Sequence, residues 1–287
     1  MDRLGRGLSS YAAMIRMFSR NVWLVLLFGI GSGLTFGVFL FTFNFYVLSL
    51  GPGYDEAFLG TLTSAASLAT IVLALPAAYL AQRFPPKWVM VVAGLLGAVA
   101  YLGLVLFPAR LPLIMFRMVA GGVMSLSSVA VAPFLMANAG ARERQWVFSF
   151  QAGLSTVASF FGNLMAGLLP GRLGALVGAG PTDTIAYQLT LGSMVALSAV
   201  SIAPLLFIRG AAREDAATVE LPWVQLRRYW RLFARFLLPS LVIGLGAGLM
   251  QPFMNVYFRN VYGKPDPAIG VVFALGGLAM SVALFAG

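Results

Sequence analysis

The sequence predicts an all-α membrane protein, and three features carry that prediction. Sixty per cent of the 287 residues are hydrophobic and 10% are charged, whereas a soluble domain carries about a quarter charged residues. Long apolar runs recur, each close to the roughly 20 residues that cross a bilayer as a helix. The basic residues gather in alternate connections between those runs.

The runs fall at 22–50, 57–81, 88–107, 111–137, 147–170, 186–208, 236–258 and 267–287. They are continuously apolar, whereas a barrel strand alternates and lasts about 10 residues. The first run is too long for a signal h-region and lacks a small-residue cleavage site, so it reads as a retained span. Runs two and three flank the short polar segment Gln82–Lys87, and the fourth holds Arg117, the one Asp, Glu, Lys or Arg within the eight runs. The fifth is rich in small residues. The sixth precedes a polar stretch, 209–235, that carries six of the nineteen basic residues. In its second half Arg228, Arg231 and Arg235 share one helical face, with Leu226, Trp230, Phe233 and Leu237 opposite. This half reads as a basic amphipathic helix lying on the membrane, with an extension of the seventh span as the alternative.

Fourteen basic residues lie before the first run or in the connections after runs two, four and six, against four (Arg110, Arg172, Arg259, Lys264) on the other side. The positive-inside rule then puts the N-terminus and the 209–235 segment in the cytoplasm, with the chain in the cytoplasmic (inner) membrane. The net charge of +10 is thus mainly topological. Its partner is anionic membrane lipid and not nucleic acid. The chain has no Cys or His, and its carboxylates lie outside the runs. No metal site, cofactor or catalytic residue is predicted.

Sliding the region after 235 back by 211 positions exposes a parallel repeat. Gly33, Asn44, Tyr46 and Asp55 meet Gly244, Asn255, Tyr257 and Asp266, and with one residue dropped Gly60 meets Gly270. Parallel repeats of this kind occur in two-halved transporters. The organisation is therefore a six-helix bundle over 1–208, a cytoplasmic linker over 209–235, and the first two helices of a second, repeat-related bundle over 236–287. By the same offset a complete second half would run to about residue 420, so the sequence reads as the N-terminal part of a longer chain.

The loop after the second span carries a pattern, with Ala78 and Gln82 followed by Arg83, Pro85 and Lys87. It resembles the Gly-x-x-x-Asp-Arg-x-Gly-Arg-Arg loop of the major facilitator superfamily, with Arg83 and Lys87 kept and the carboxylate replaced by Gln82. Arg117 and Gly121 match the Arg-x-x-x-Gly of that family's fourth helix. Ala158, Gly162, Asn163, Ala166 and Gly167 sit where efflux members carry a Gly- and Pro-containing motif, with the proline missing. The resemblance implies two six-helix bundles that rock against each other, helices 1, 4, 7 and 10 lining a central cavity and 2, 5, 8 and 11 meeting at the interface.

Asn44, Arg117 and Asn255 should lie about 6–9 Å below the outer surface, with Gln251 one turn deeper. Buried amides need partners, so these four are the expected substrate pathway or gate. The implied function is secondary transport of a small solute by alternating access, with the coupling ion left open and an enzyme disfavoured. The alternative is a non-transporting receptor or scaffold of the same fold.

Overall fold

A computed structural model describes residues 18–140, 143–209 and 228–286. Nine α-helices are found among them: α1 Arg20–Ser49, α2 Glu56–Arg83, α3 Pro86–Leu106, α4 Arg110–Asn138, α5 Arg144–Leu176, α6 Thr184–Leu206, α7 Trp230–Met250, α8 Met254–Tyr262 and α9 Asp266–Ala286. Seven spans, with α7 and α8 counted together, are long and apolar enough to cross a membrane, and the described part of α9 is apolar as well.

Local chemistry sets the helix ends. The Ser19 hydroxyl caps α1 by accepting from the Val22 amide at 3.3 Å. Asp55 caps α2 by accepting from the Phe58 amide at 2.9 Å; each cap satisfies an amide that the first turn leaves without a carbonyl. Pro86 opens α3 where its missing N–H costs nothing. The turn between α1 and α2 uses Gly51 and Gly53 at φ 110° and 91°, values that a side chain would strain.

The helices run alternately up and down. The ends at Arg20, Arg83, Lys87, Asn138 and Arg144 are called the basic end, and those at Ser49, Asp55, Arg110 and Asp183 the far end. Helix α1 is central and packs on α5 and α6; α4 packs on α2 and α3; α9 packs on α5. Small residues allow these approaches. A Cβ on Gly37 would collide with the Ser159 carbonyl, and one on Gly162 with the Leu34 carbonyl. On the other side of α5, a Cβ on Gly270 of α9 would come within 3.1 Å of Gly167 Cα. Lipid gives no hydrophobic drive between helices, so close backbone contact supplies the association. The small residues expected to pack the fifth span do so on two fronts, toward α1 and toward α9. The outer faces stay apolar and exposed, as at Leu68, Ile71, Leu95 and Val99, which suits a lipid surround.

One sequence expectation is corrected here. The seventh span was expected to be continuous over 236–258. It breaks at a turn of 3-10 helix, Gln251–Phe253, between α7 and α8, because Pro252 lacks an N–H and its ring crowds the carbonyl four residues back. Of the basic amphipathic helix expected in the second half of the linker, Arg228 is helical, Tyr229 forms a bend, and Trp230–Arg235 are the first turns of α7. The rest of that expectation lies outside the described residues. Every described side chain from Arg228 to Gln251 is exposed, and burial resumes at Asn255 and Val256.

Candidate functional site

The contact between the two repeat-related parts is built first from Asn44 and Asn255. The Asn44 amide donates to Asn255 Oδ1 at 2.9 Å and to the Pro252 carbonyl at 2.6 Å. Asn255 in turn donates to the Phe41 carbonyl at 2.8 Å. Each amide thus reaches the carbonyl three positions upstream of its partner, and both pairs, Asn44 with Asn255 and Phe41 with Pro252, are 211 residues apart. The repeat offset has become a local two-fold exchange of hydrogen bonds. Both side chains are buried, so each bond replaces water that is absent there. The break at Pro252 turns a backbone carbonyl toward Asn44, the use that interrupted helices find in membrane proteins.

Closer to the far end lies a second cluster that sequence reasoning missed. Arg259 of α8 forms an ion pair with Asp266 at the start of α9. Tyr187 of α6 donates to Asp266 Oδ2 at 2.8 Å, and Arg259 donates to the Tyr187 hydroxyl at 2.6 Å. The Arg259 guanidinium lies 3.4 Å from the centre of the Phe45 ring. Along the sequence, Arg259 and Asp266 read as ordinary loop charges. Their spacing of seven residues around the turn at Gly263, φ 59°, is the available signal. Nothing in the sequence points to Tyr187.

Arg117 occupies a different face of α1. Its guanidinium lies 5.0 Å from the centres of both the Phe39 and Phe43 rings, which stack on each other at 4.8 Å. Its Nε is buried without a hydrogen-bond partner. Asn44, Phe41 and Phe45 make their contacts with the second part of the chain, Phe41 packing edge-on to Phe273 at 6.0 Å. Arg117 was expected beside Asn44 and Asn255. Its ring contacts are instead on the α4-facing side of α1, because residues 39 and 43 are one turn apart and 44 is rotated about 100° from 43. Gly121, expected to leave room for a backbone, does so for α2: a Cβ there would strike the Ala66 carbonyl, and Thr70 donates to the Gly121 carbonyl at 3.0 Å.

Gln251, expected one turn deeper and facing the cavity or another amide, is exposed at the break after α7, as is every described side chain of α7 before it. In the loop after α2, Gln82 is exposed and Arg83 donates to the Tyr79 hydroxyl at 2.7 Å. Lys87 donates to the Leu206 and Ile208 carbonyls at 3.0 and 2.8 Å. It therefore caps the C-terminal end of α6, where free carbonyls favour a cation.

A cavity of about 720 Å³ fills the basic-end half of the six-helix bundle. It is lined from α1, α3, α4, α5 and α6, by hydroxyls such as Ser32, Thr35, Ser128 and Ser155, the amide of Gln151, and the rings of Phe36, Tyr101 and Phe148. Its volume lies in the range of small-molecule sites. The Thr35 hydroxyl in its wall is buried without a hydrogen-bond partner.

A closely packed helical bundle, a repeat-related second part joined to it at one end, and an internal cavity toward the other define the class: a polytopic membrane protein built as two-halved transporters are. Residues 25–287 match the family model of the Major Facilitator Superfamily, and the chain belongs to that family. Among solved structures it is similar to a bacterial homolog of the human lysosomal transporter Spinster in an inward-facing, unoccupied conformation (15% identity, TM-score 0.64, covering 96% of this chain and 60% of that one). It is also similar to the nucleoside transporter NupG (15% identity, TM-score 0.61, covering 92% and 65%). A D-xylose–proton symporter gives 16% identity and a TM-score of 0.58, covering 91% and 67%. At these identities the likeness shows the fold. The chain spans 60% of the length of the Spinster homolog. No curated protein matches it.

Proposed function

We propose that the protein is a secondary transporter that moves a small solute across the cytoplasmic membrane by alternating access, with its basic end in the cytoplasm. The observation that carries this reading is the reciprocal Asn44–Asn255 exchange. It ties the two repeat-related parts together at the far end, while the cavity lies toward the basic end of the six-helix bundle. A far-end contact between the repeat-related parts supports a state closed at that end, one of the two states that alternating access requires. Discrete hydrogen bonds are suited to the closed state, since they break as a set when the halves part. The solute classes in the names of the similar proteins, a nucleoside and a sugar, support a small polar or amphipathic solute. The positive-inside rule supports the orientation.

Uptake by the full-length protein in proteoliposomes, measured across a panel of nucleosides, sugars and organic anions, tests the proposal. Solute-specific uptake that is lost when the cavity is filled by Ser128→Phe is the expected result. Binding without uptake for every solute would assign the fold to a receptor or scaffold instead.

A further inference from the structure

Arg117 is a half-buried cation, and no carboxylate among the described residues pairs with it. Among the described residues the one ion pair to a carboxylate is Arg259–Asp266, and the Arg117 Nε has no hydrogen-bond partner. The guanidinium lies over the Phe39 and Phe43 rings, and its buried Nε is left to donate to another group. A guanidinium edge matches the paired oxygens of a carboxylate or phosphate in a planar, two-bond geometry.

The position of Arg117 relative to the cavity supplies the second observation. On α4 the lining residues Ala120, Met124, Ser127 and Val131 form one helical stripe, and Arg117 is the next member of it toward the far end. Tyr101 lines the cavity and packs on Phe39 at 4.9 Å, the ring against which Arg117 rests. The guanidinium therefore stands one helical turn beyond the far-end wall of the cavity, behind the Phe39–Tyr101 contact. The cavity lining holds no Asp, Glu, Lys or Arg. The charge nearest to it along this stripe is positive, and the wall itself is aromatic, aliphatic, hydroxyl and the amide of Gln151.

We propose that Arg117 selects an anionic solute: an organic acid whose carboxylate or phosphate reaches the guanidinium edge while its apolar or hydroxyl-bearing body fills the cavity. The inference rests on reading the cavity as the solute site. Its energetic logic is that an uncompensated arginine at this depth is costly, and a bound anion provides the missing counter-charge. Contact between the two requires a turn of the Phe39 ring, which stands between the Tyr101 side of the cavity and the guanidinium.

The test measures dissociation constants of phenylbutyrate, phenylbutanol and phenylbutylamine, which share one body and differ in headgroup, for the full-length protein in lipid nanodiscs by calorimetry. The native protein should bind phenylbutyrate about tenfold or more tightly than phenylbutanol, the preference expected of a charge-assisted contact, with phenylbutylamine weakest. Arg117→Gln should bring the acid to the level of the alcohol, and Arg117→Lys should keep part of the preference. Retained phenylbutanol binding by Arg117→Gln reports an intact fold. Equal affinities for acid and alcohol in the native protein, or a preference that survives Arg117→Gln, would overturn the anion assignment while leaving transport standing. If Ser128→Phe leaves all three constants unchanged, the cavity is not the solute site, and the anion assignment falls with it.

Discussion

At the residue scale the molecule turns on a few polar groups held where water is absent. The Asn44–Asn255 exchange is reciprocal, so removing either amide strands its partner. Asn44→Ala and Asn255→Ala should each destabilise the protein by about 1 kcal/mol. The double variant should cost little more than one single, and a thermodynamic cycle from unfolding in detergent measures this non-additivity. Additive costs would show that the two side chains act separately. The ion pair near the far end follows the same logic with larger numbers. Asp266→Asn leaves the Arg259 charge without its counter-ion, and breaking a buried pair from one side costs roughly 3–5 kcal/mol. Because Arg259 is only partly buried, the lower end of that range is expected, and Arg259→Gln added to Asp266→Asn should recover part of the loss.

At the element scale the contacts of α5 on both its neighbours depend on the absence of side chains. A Cβ on Gly37 meets the backbone of α5, which cannot give way as a side chain tip can. Gly37→Leu should therefore separate α1 from α5 and cost about 1–3 kcal/mol or more, read as a lower melting temperature. Gly192 of α6 is the contrasting case, since a Cβ added there would meet nothing within 4 Å. Gly192→Ala should leave stability unchanged or raise it by up to about 1 kcal/mol, since alanine is the better helix former. Equal behaviour of the two variants would remove close packing as the reason for these glycines. The small residues were legible in the sequence as packing surfaces. Which neighbour each one met was not, because Gly162 and Gly167 sit five positions apart on one helix and face different partners.

At the scale of the whole molecule the asymmetry of the two ends has a direct consequence. With the basic end in the cytoplasm, an impermeant thiol reagent added to intact cells should label Gly53→Cys, in the far-end turn, and not Ala216→Cys in the 209–235 segment. The reverse pattern would invert the orientation and the direction in which the closed end faces. Tyr187→Phe removes the hydroxyl that links α6 to Arg259 and Asp266. It should shift the population toward a far-end-open state, read as faster labelling of a cysteine at Phe45.

The sequence by itself determined the membrane class, the place of the seven membrane-length spans and of the apolar helix after them, and the repeat whose offset pairs Asn44 with Asn255. These properties follow from composition, length and periodicity, which act along the chain and need no knowledge of what lies across it. The tertiary structure decided which polar residues meet. It turned Asn44 toward Asn255 and Arg117 toward Phe39 and Phe43, although the sequence put all three polar residues at one depth. It broke the seventh span at Pro252 and gathered Arg259, Asp266 and Tyr187 from separate helices. Depth is a one-dimensional quantity that a helical register supplies, whereas the direction in which a side chain points is settled only when the helices pack.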